Sequence, residues 1–200
     1  MKDTIAVREC KGLDELAACV ELQREVFALP DIEISPVRHF IVTQNAGGFI
    51  LGAFAGGDLI GFVLSVPAFL RGQRAFYSHM TAVRATYQSF GIGGRLKWAQ
   101  RAKSLSLGIK FVKWTFEPWK ARNGFFNLEK LGAEVRSYEE NFYGIDYTTA
   151  HLEGGRIGLA SDRLFAEWDL ESEKVSRLAE GVSFRTDRSS VLSIQVPTDW

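Results

Sequence analysis

The chain has 200 residues, 46% of them apolar and 24% charged, which is enough apolar surface for one packed domain and excludes a disordered chain. Lysine plus arginine number 24 and aspartate plus glutamate 24, so the net charge is zero and the cation excess that nucleic-acid binders present to phosphate is missing. Cys10 and Cys19, with three scattered histidines, give no zinc spacing. No apolar run approaches the roughly 18 residues of a membrane span, and the segment at Met1-Lys2-Asp3-Thr4 lacks the apolar stretch expected of a signal peptide. The expectation is a reduced, cytoplasmic protein with no metal, no nucleic acid and no membrane contact.

Residues 4–9 alternate and predict a short strand, broken at Gly12. Leu13, Leu16, Ala17, Val20 and Phe27 recur at helical spacing, so a helix is expected over 13–27, stopped by Pro30. Ser35-Pro36 opens a second helix over 37–44. Residues 49–54 and 59–69 flank Gly56-Gly57-Asp58 as a hairpin, and 75–83 follows as another strand. After a loop over 84–90, Ile92, Leu96, Ala99, Ala102 and Leu105 mark one face of a helix that ends at Gly108. A strand over 110–116 stops at Pro118, and Phe125, Leu128 and Leu131 mark a helix closed by Gly132. Residues 133–142 and 164–170 read as strands, 146–158 as loop, 171–181 as helical and 191–196 as an extra strand. This order predicts an α/β sandwich of the α+β type, with a mixed, mostly antiparallel central sheet flanked by helices. Residues 1–170 form the domain and 171–200, where charge density rises, a C-terminal extension.

The chemistry concentrates where the 75–83 strand turns into the next helix. Gly91, Gly93 and Gly94 open that helix, where the first amides lack internal partners and carry partial positive charge. Without Cβ atoms those amides can approach a phosphate or pyrophosphate; the same glycines could instead serve close strand–helix packing. A P-loop is excluded, because Arg95-Leu96 and not Lys-Ser/Thr follows Gly94, and a dinucleotide fingerprint lacks its third glycine. Gln88-Ser89-Phe90-Gly91-Ile92-Gly93 does fit Gln/Arg-x-x-Gly-x-Gly/Ala at all three defined positions.

That motif resembles the acyl-CoA-binding motif of the GNAT N-acetyltransferase superfamily. Val83 before it, Gly94-Arg95-Leu96 after it, Asn123, and Lys130-Leu131-Gly132-Ala133 further on stand where the family has comparable features. Ser78-His79-Met80, Trp114-Thr115-Phe116-Glu117-Pro118 and Ser161-Asp162-Arg163 are similar to a little-characterised subgroup of acyltransferases, some acting on amino acids with donors that include succinyl-CoA. The resemblance implies acetyl-CoA or another acyl-CoA as co-substrate, a small-molecule amine such as an amino acid as acceptor, and leaves a homodimer open. It implies a cofactor site made of Thr81, Ala82 and Val83 along the strand, then Gln88, Ser89, Phe90, Gly91, Ile92, Gly93 and Gly94, with Asn123 contacting CoA or capping a turn. A bulge near Thr81–Val83 would free an amide for the oxyanion of the attacked thioester. The chain departs from the family at Leu128, where a tyrosine often protonates the leaving thiolate, and at Ala133. That departure keeps a second reading open, a catalytically weakened acyl-CoA-binding or regulatory module.

His79 and Glu117 are the candidate bases for an ammonium acceptor. His79 could equally be a hydrogen-bonded core histidine, and Glu117 a solvated carboxylate or a grip on the acceptor. The two-residue spacing puts His79 and Thr81 on one strand face. Arg122 is a candidate carboxylate anchor on the acyl or acceptor group, or a solvated helix-face cation; Tyr138 and Tyr143 are candidate substitute proton donors, and Trp114, Phe116, Trp119, Phe125 and Phe126 are expected mostly in the core.

Overall fold

A computed structural model describes residues 5–27, 29–144 and 161–184. Its sheet comprises β1 (Ala6–Glu9), β2 (Phe49–Ala55), β3 (Asp58–Leu70), β4 (Gln73–Val83), β5 (Phe111–Phe116), β6 (Glu134–Glu139) and β7 (Arg163–Asp169). The helices are α1 (Gly12–Phe27), α2 (Val37–Asn45), α3 (Ile92–Ser106), α4 (Ala121–Phe125) and α5 (Glu173–Ala179). The expected elements are present with ends shifted by a few residues, except that the helix expected from Phe125, Leu128 and Leu131 is made of α4 followed by a π-helical turn over Phe126–Lys130. The expected loop over 146–158 and strand over 191–196 lie outside the described residues.

The strand order is β1-β2-β3-β4-β5-β7-β6, antiparallel throughout except where β4 meets β5. Hairpin turns join β2 to β3 and β3 to β4, because Gly56, Gly57 and Gly72 supply the positive φ that tight turns require. α3 intervenes between β4 and β5, so those two strands run parallel.

Each face of the sheet has its own core. On one, Ile92 and Leu96 of α3 pack with Phe76, Val112, Trp114 and Trp168. On the other, Leu16, Cys19, Val20 and Leu22 of α1 and Phe40 of α2 pack with Ile50, Phe62 and Leu64. The buried Gln23 is satisfied on both sides of its amide: it donates to the Ser35 carbonyl and accepts from the Ser35 amide, joining α1 to the entry of α2. The Trp168 indole donates to the Leu131 carbonyl at 2.7 Å. From the segment beyond residue 170, Val175 of α5 enters the α3-side core.

Gly48, at the junction of α2 and β2, is needed for space. A Cβ there would lie 2.4 Å from the Ser65 carbonyl oxygen and 2.9 Å from that of Thr43, both backbone atoms. Gly48→Ala is therefore expected to cost about 1–3 kcal/mol, the range for forced overpacking. Thermal unfolding should show a Tm several degrees lower; an unchanged Tm would mean that the junction relaxes freely.

Candidate active site

β4 and β5 are joined only briefly. Their pairing is confined to Phe76 with Val112 and Tyr77 with Lys113. Beyond those residues the strands diverge, although β4 runs on to Val83 and β5 to Phe116. The edge of β4 that carries Thr81, Ala82 and Val83 thus faces a cleft instead of a neighbouring strand. An open strand edge of this kind accepts an extended partner by backbone hydrogen bonding.

The glycine loop stands at the end of β4. Gln88 does not reach outward; its side chain donates back to the Val83 carbonyl at 3.1 Å and ties the loop to the strand. Ser89 and Gly91 both take left-handed backbone, with φ of 69° and 75°. Gly91 is the N-cap of α3, and no side chain caps that helix or places an acid in its first turn. Ile92 is buried and anchors the turn, while Phe90 is 70% exposed. Gly93 bears on the two readings of these glycines. Its φ is not positive, and a Cβ on it would meet nothing within 4 Å. A Cβ on Gly94 would make only an ordinary contact with Phe126 at 3.9 Å. Neither backbone conformation nor close packing explains glycine at these two positions, where alanine would favour the helix by up to about 1 kcal/mol each. Both positions lie in the first turn of α3, which no side chain caps.

Arg122 sits beside the glycine loop. From α4 it donates to the Ser89 hydroxyl at 3.3 Å and so adds a cation to the glycine loop. Asn123 is exposed inside α4, whose N-cap is Lys120, so it caps no helix. Phe125, expected in the core, is 56% exposed, because the buried face of this region belongs to Asn127 and Leu131. Trp114 and Phe116 are buried as expected, and Trp119 and Phe126 are partly buried.

The bulge is displaced from its expected place. Leu64 pairs with Met80 and Ser65 with Ser78, so His79 is the extra residue of β4. The slip changes which side chains share a face. His79 stacks edge-on against His39 of α2 at 5.6 Å, and Met80 packs into the core beneath α1 and α2. Val83 packs on the α3 side, and strand alternation puts Thr81 there with it. His79 and Thr81 therefore do not share a face, contrary to their spacing. Burial lowers the His79 pKa from its ordinary value, and the charge of His39 lowers it further. The imidazole is held neutral at physiological pH.

Three hydroxyls bridge the β4–β5 junction beside His79. Tyr77 donates to Thr115 Oγ1 at 3.4 Å, and Thr115 Oγ1 lies 3.4 Å from the Tyr143 hydroxyl. The Arg163 guanidinium lies over the Tyr143 ring at 5.0 Å. Burial pushes the Tyr77 phenol up to about 12. Tyr138 is remote from this group: it lies on β6, at the edge of the sheet, and donates to Asp162. Glu117, just past β5, is paired with Lys120 at 2.8 Å. Among the described residues no group of three or more His, Cys, Asp or Glu side chains is placed to hold a metal ion, and no helix is long and apolar enough to cross a membrane.

His39, Tyr77, Thr115 and Lys97 of α3 escaped the sequence reading. Lys97, Gln100 and Ser104 recur at helical spacing on the buried side of α3, a polar stripe that a search restricted to apolar periodicity passes over. For His39 the sequence carries no signal.

No protein-family model matches the sequence, and no curated protein matches it. Solved structures do match. An N-acetyltransferase from Staphylococcus aureus Mu50 superposes with a TM-score of 0.67 and 15% identity, covering 84% of this chain and 99% of that one. A GNAT family acetyltransferase from Elizabethkingia anophelis, with acetyl-CoA bound, gives 0.60 at 16% identity over 84% and 99%. The fold is that of the GNAT acetyltransferases. The ribosomal-protein-S18-alanine N-acetyltransferase from Escherichia coli shares it too, with a TM-score of 0.64 at 14% identity over 84% and 96%. At such identities the GNAT likeness concerns architecture, and activity has to be argued from the site's own chemistry.

Proposed function

We propose that the chain is an acyl-CoA-dependent N-acyltransferase that acylates the amine of a small molecule. The observation that carries this reading is Gly93, a glycine that the chain's own backbone and packing do not require, in the uncapped first turn of a helix. The acetyl-CoA complex with the same fold supports acyl-CoA as the donor.

The residues divide the work as follows. The amides of Ile92, Gly93 and Gly94 hold the pyrophosphate, with Arg122 adding positive charge from α4. The open edge of β4 along Thr81, Ala82 and Val83 pairs with the extended arm of the donor. The bulge at His79 lies beside the thioester, and the acceptor enters from the α2 side, where His39 and His79 meet. Neutral His79 takes a proton from the acceptor ammonium. The free amine then attacks the thioester carbon; a C–N bond forms, the nitrogen gives up its second proton to solvent, the C–S bond breaks, and the sulfur leaves as thiolate. Leu128 offers that sulfur no proton. The Tyr77–Thr115–Tyr143 hydroxyls or solvent supply it instead, and the low demand follows from a thiol pKa near about 8.5. Glu117 is the second candidate base, here held by Lys120.

Leu128 favours a second reading, a module that binds acyl-CoA without turning it over. The test is calorimetric titration with CoA and acetyl-CoA, followed by thiol release with a panel of free amino acids, other small amines and peptides. Binding with turnover on small amines supports the enzyme. Binding without turnover favours the module, faster peptide acylation removes the small acceptor, and no binding removes both readings.

A further inference from the structure

Lys97 is a charged-type side chain only 3% exposed, set in the α3-side core. Its Nζ donates to Ser78 Oγ at 3.0 Å and to Gln100 Oε1 at 2.9 Å, and lies 3.9 Å from the centre of the Trp114 ring and 5.6 Å from that of Trp168. No carboxylate is among these partners. Burial alone pushes its pKa down to about 7. A site that only had to be filled would take methionine or leucine without this desolvation cost.

What the lysine holds explains its retention. Gln100, one turn further along α3, donates to Ser65 Oγ at 2.8 Å. Ser65 and Ser78 are cross-strand partners, and theirs is the last pair before the register slips at His79. Lys97 and Gln100 thus grip both members of that pair from the α3 side. On the opposite side of the sheet the slipped residue meets His39 and Tyr77. A bulge is held in place only if the ladder on each side of it is held, since a slip by one residue reverses every later side chain.

We propose that Lys97 is a positioning residue: together with Gln100 it pins the Ser65–Ser78 pair, and so maintains the bulge that turns His79 toward α2. The link to turnover rests on His79 acting as the base, but the structural claim can be measured without any activity. Lys97→Met keeps the length and volume of the stem and removes the amine. In the ligand-free variant, amide exchange at His79 and Met80 should accelerate about tenfold or more relative to Leu51 of β2, which is about 1.4 kcal/mol of lost local protection. The His79 ring, followed by NMR, should titrate closer to the ordinary imidazole value. In turnover, kcat should fall about tenfold or more with KM for the acyl donor within about twofold, because the glycine loop is untouched. Ser65→Ala, which leaves the lysine in place, should shift the same signals in the same direction and serves if Lys97→Met does not fold. Unchanged exchange and an unchanged His79 titration in a folded variant would overturn the proposal whatever the rates do. If His79→Gln keeps full activity while Lys97→Met still moves the NMR signals, the base assignment fails and the positioning role stands.

Discussion

Gly93→Leu is expected to abolish CoA binding without weakening the fold. Position 93 is helical, its φ is not positive, and an added Cβ would meet nothing within 4 Å, so folding is expected to lose nothing. Leucine in place of glycine should add up to about 1 kcal/mol of helix propensity. The same side chain stands between the helix amides and any phosphate. Losing two charge-assisted hydrogen bonds, at about 1.5–3 kcal/mol each, weakens binding by about 100-fold or more. Calorimetric titration with CoA should show that loss beside an equal or higher Tm. Gly91→Ala is the contrasting variant: its φ of 75° is a conformation that alanine resists, so it should lower the Tm. If Gly93→Leu binds CoA as well as the parent does, the loop is not the phosphate site.

The second large effect concerns His79. His79→Gln should reduce kcat/KM at neutral pH by about 100- to 10,000-fold, the usual worth of a positioned base. The pH profile should identify it. Burial and His39 both lower the His79 pKa, so the acid limb of kcat/KM should fall below the ordinary imidazole value of about 6.5. The base is neutral above that limb and protonated below it, so activity is lost as pH falls. In His79→Gln the limb should vanish. In His39→Asn one of the depressing influences is gone, the His79 pKa rises, and the limb should move to higher pH. Glu117→Gln and Tyr143→Phe measured in parallel separate the alternatives. If His79→Gln keeps both rate and limb while Glu117→Gln loses them, the proton goes to the carboxylate. If Tyr143→Phe alone stops turnover, protonation of the leaving sulfur is the demanding step.

The element order, the two-faced sheet and the glycine loop were legible in the sequence because each is written locally. Apolar spacing along 13–27 and 92–105 specifies helices, glycine pairs specify hairpin turns, and the Gln88–Gly94 run is continuous. The chain by itself also singled out His79, the sole histidine near that run. Where His79 points was decided elsewhere. Ser78 pairs with Ser65, thirteen residues earlier in the chain, and a single extra residue in β4 turns His79 and Met80 to one side of the sheet. Residue spacing assumes an unbroken ladder, so it put His79 with Thr81. Arg122 could not be assigned to the loop from sequence, because its contact with Ser89 spans 33 positions. The buried Lys97 was passed over in the sequence, since nothing local reveals that Trp114 and Trp168 close over it. Local sequence sets periodicity and turn geometry through short-range sterics. Register, burial of a charge and the convergence of His39, His79 and Tyr77 depend on contacts between distant segments, and these exist only once the sheet has closed.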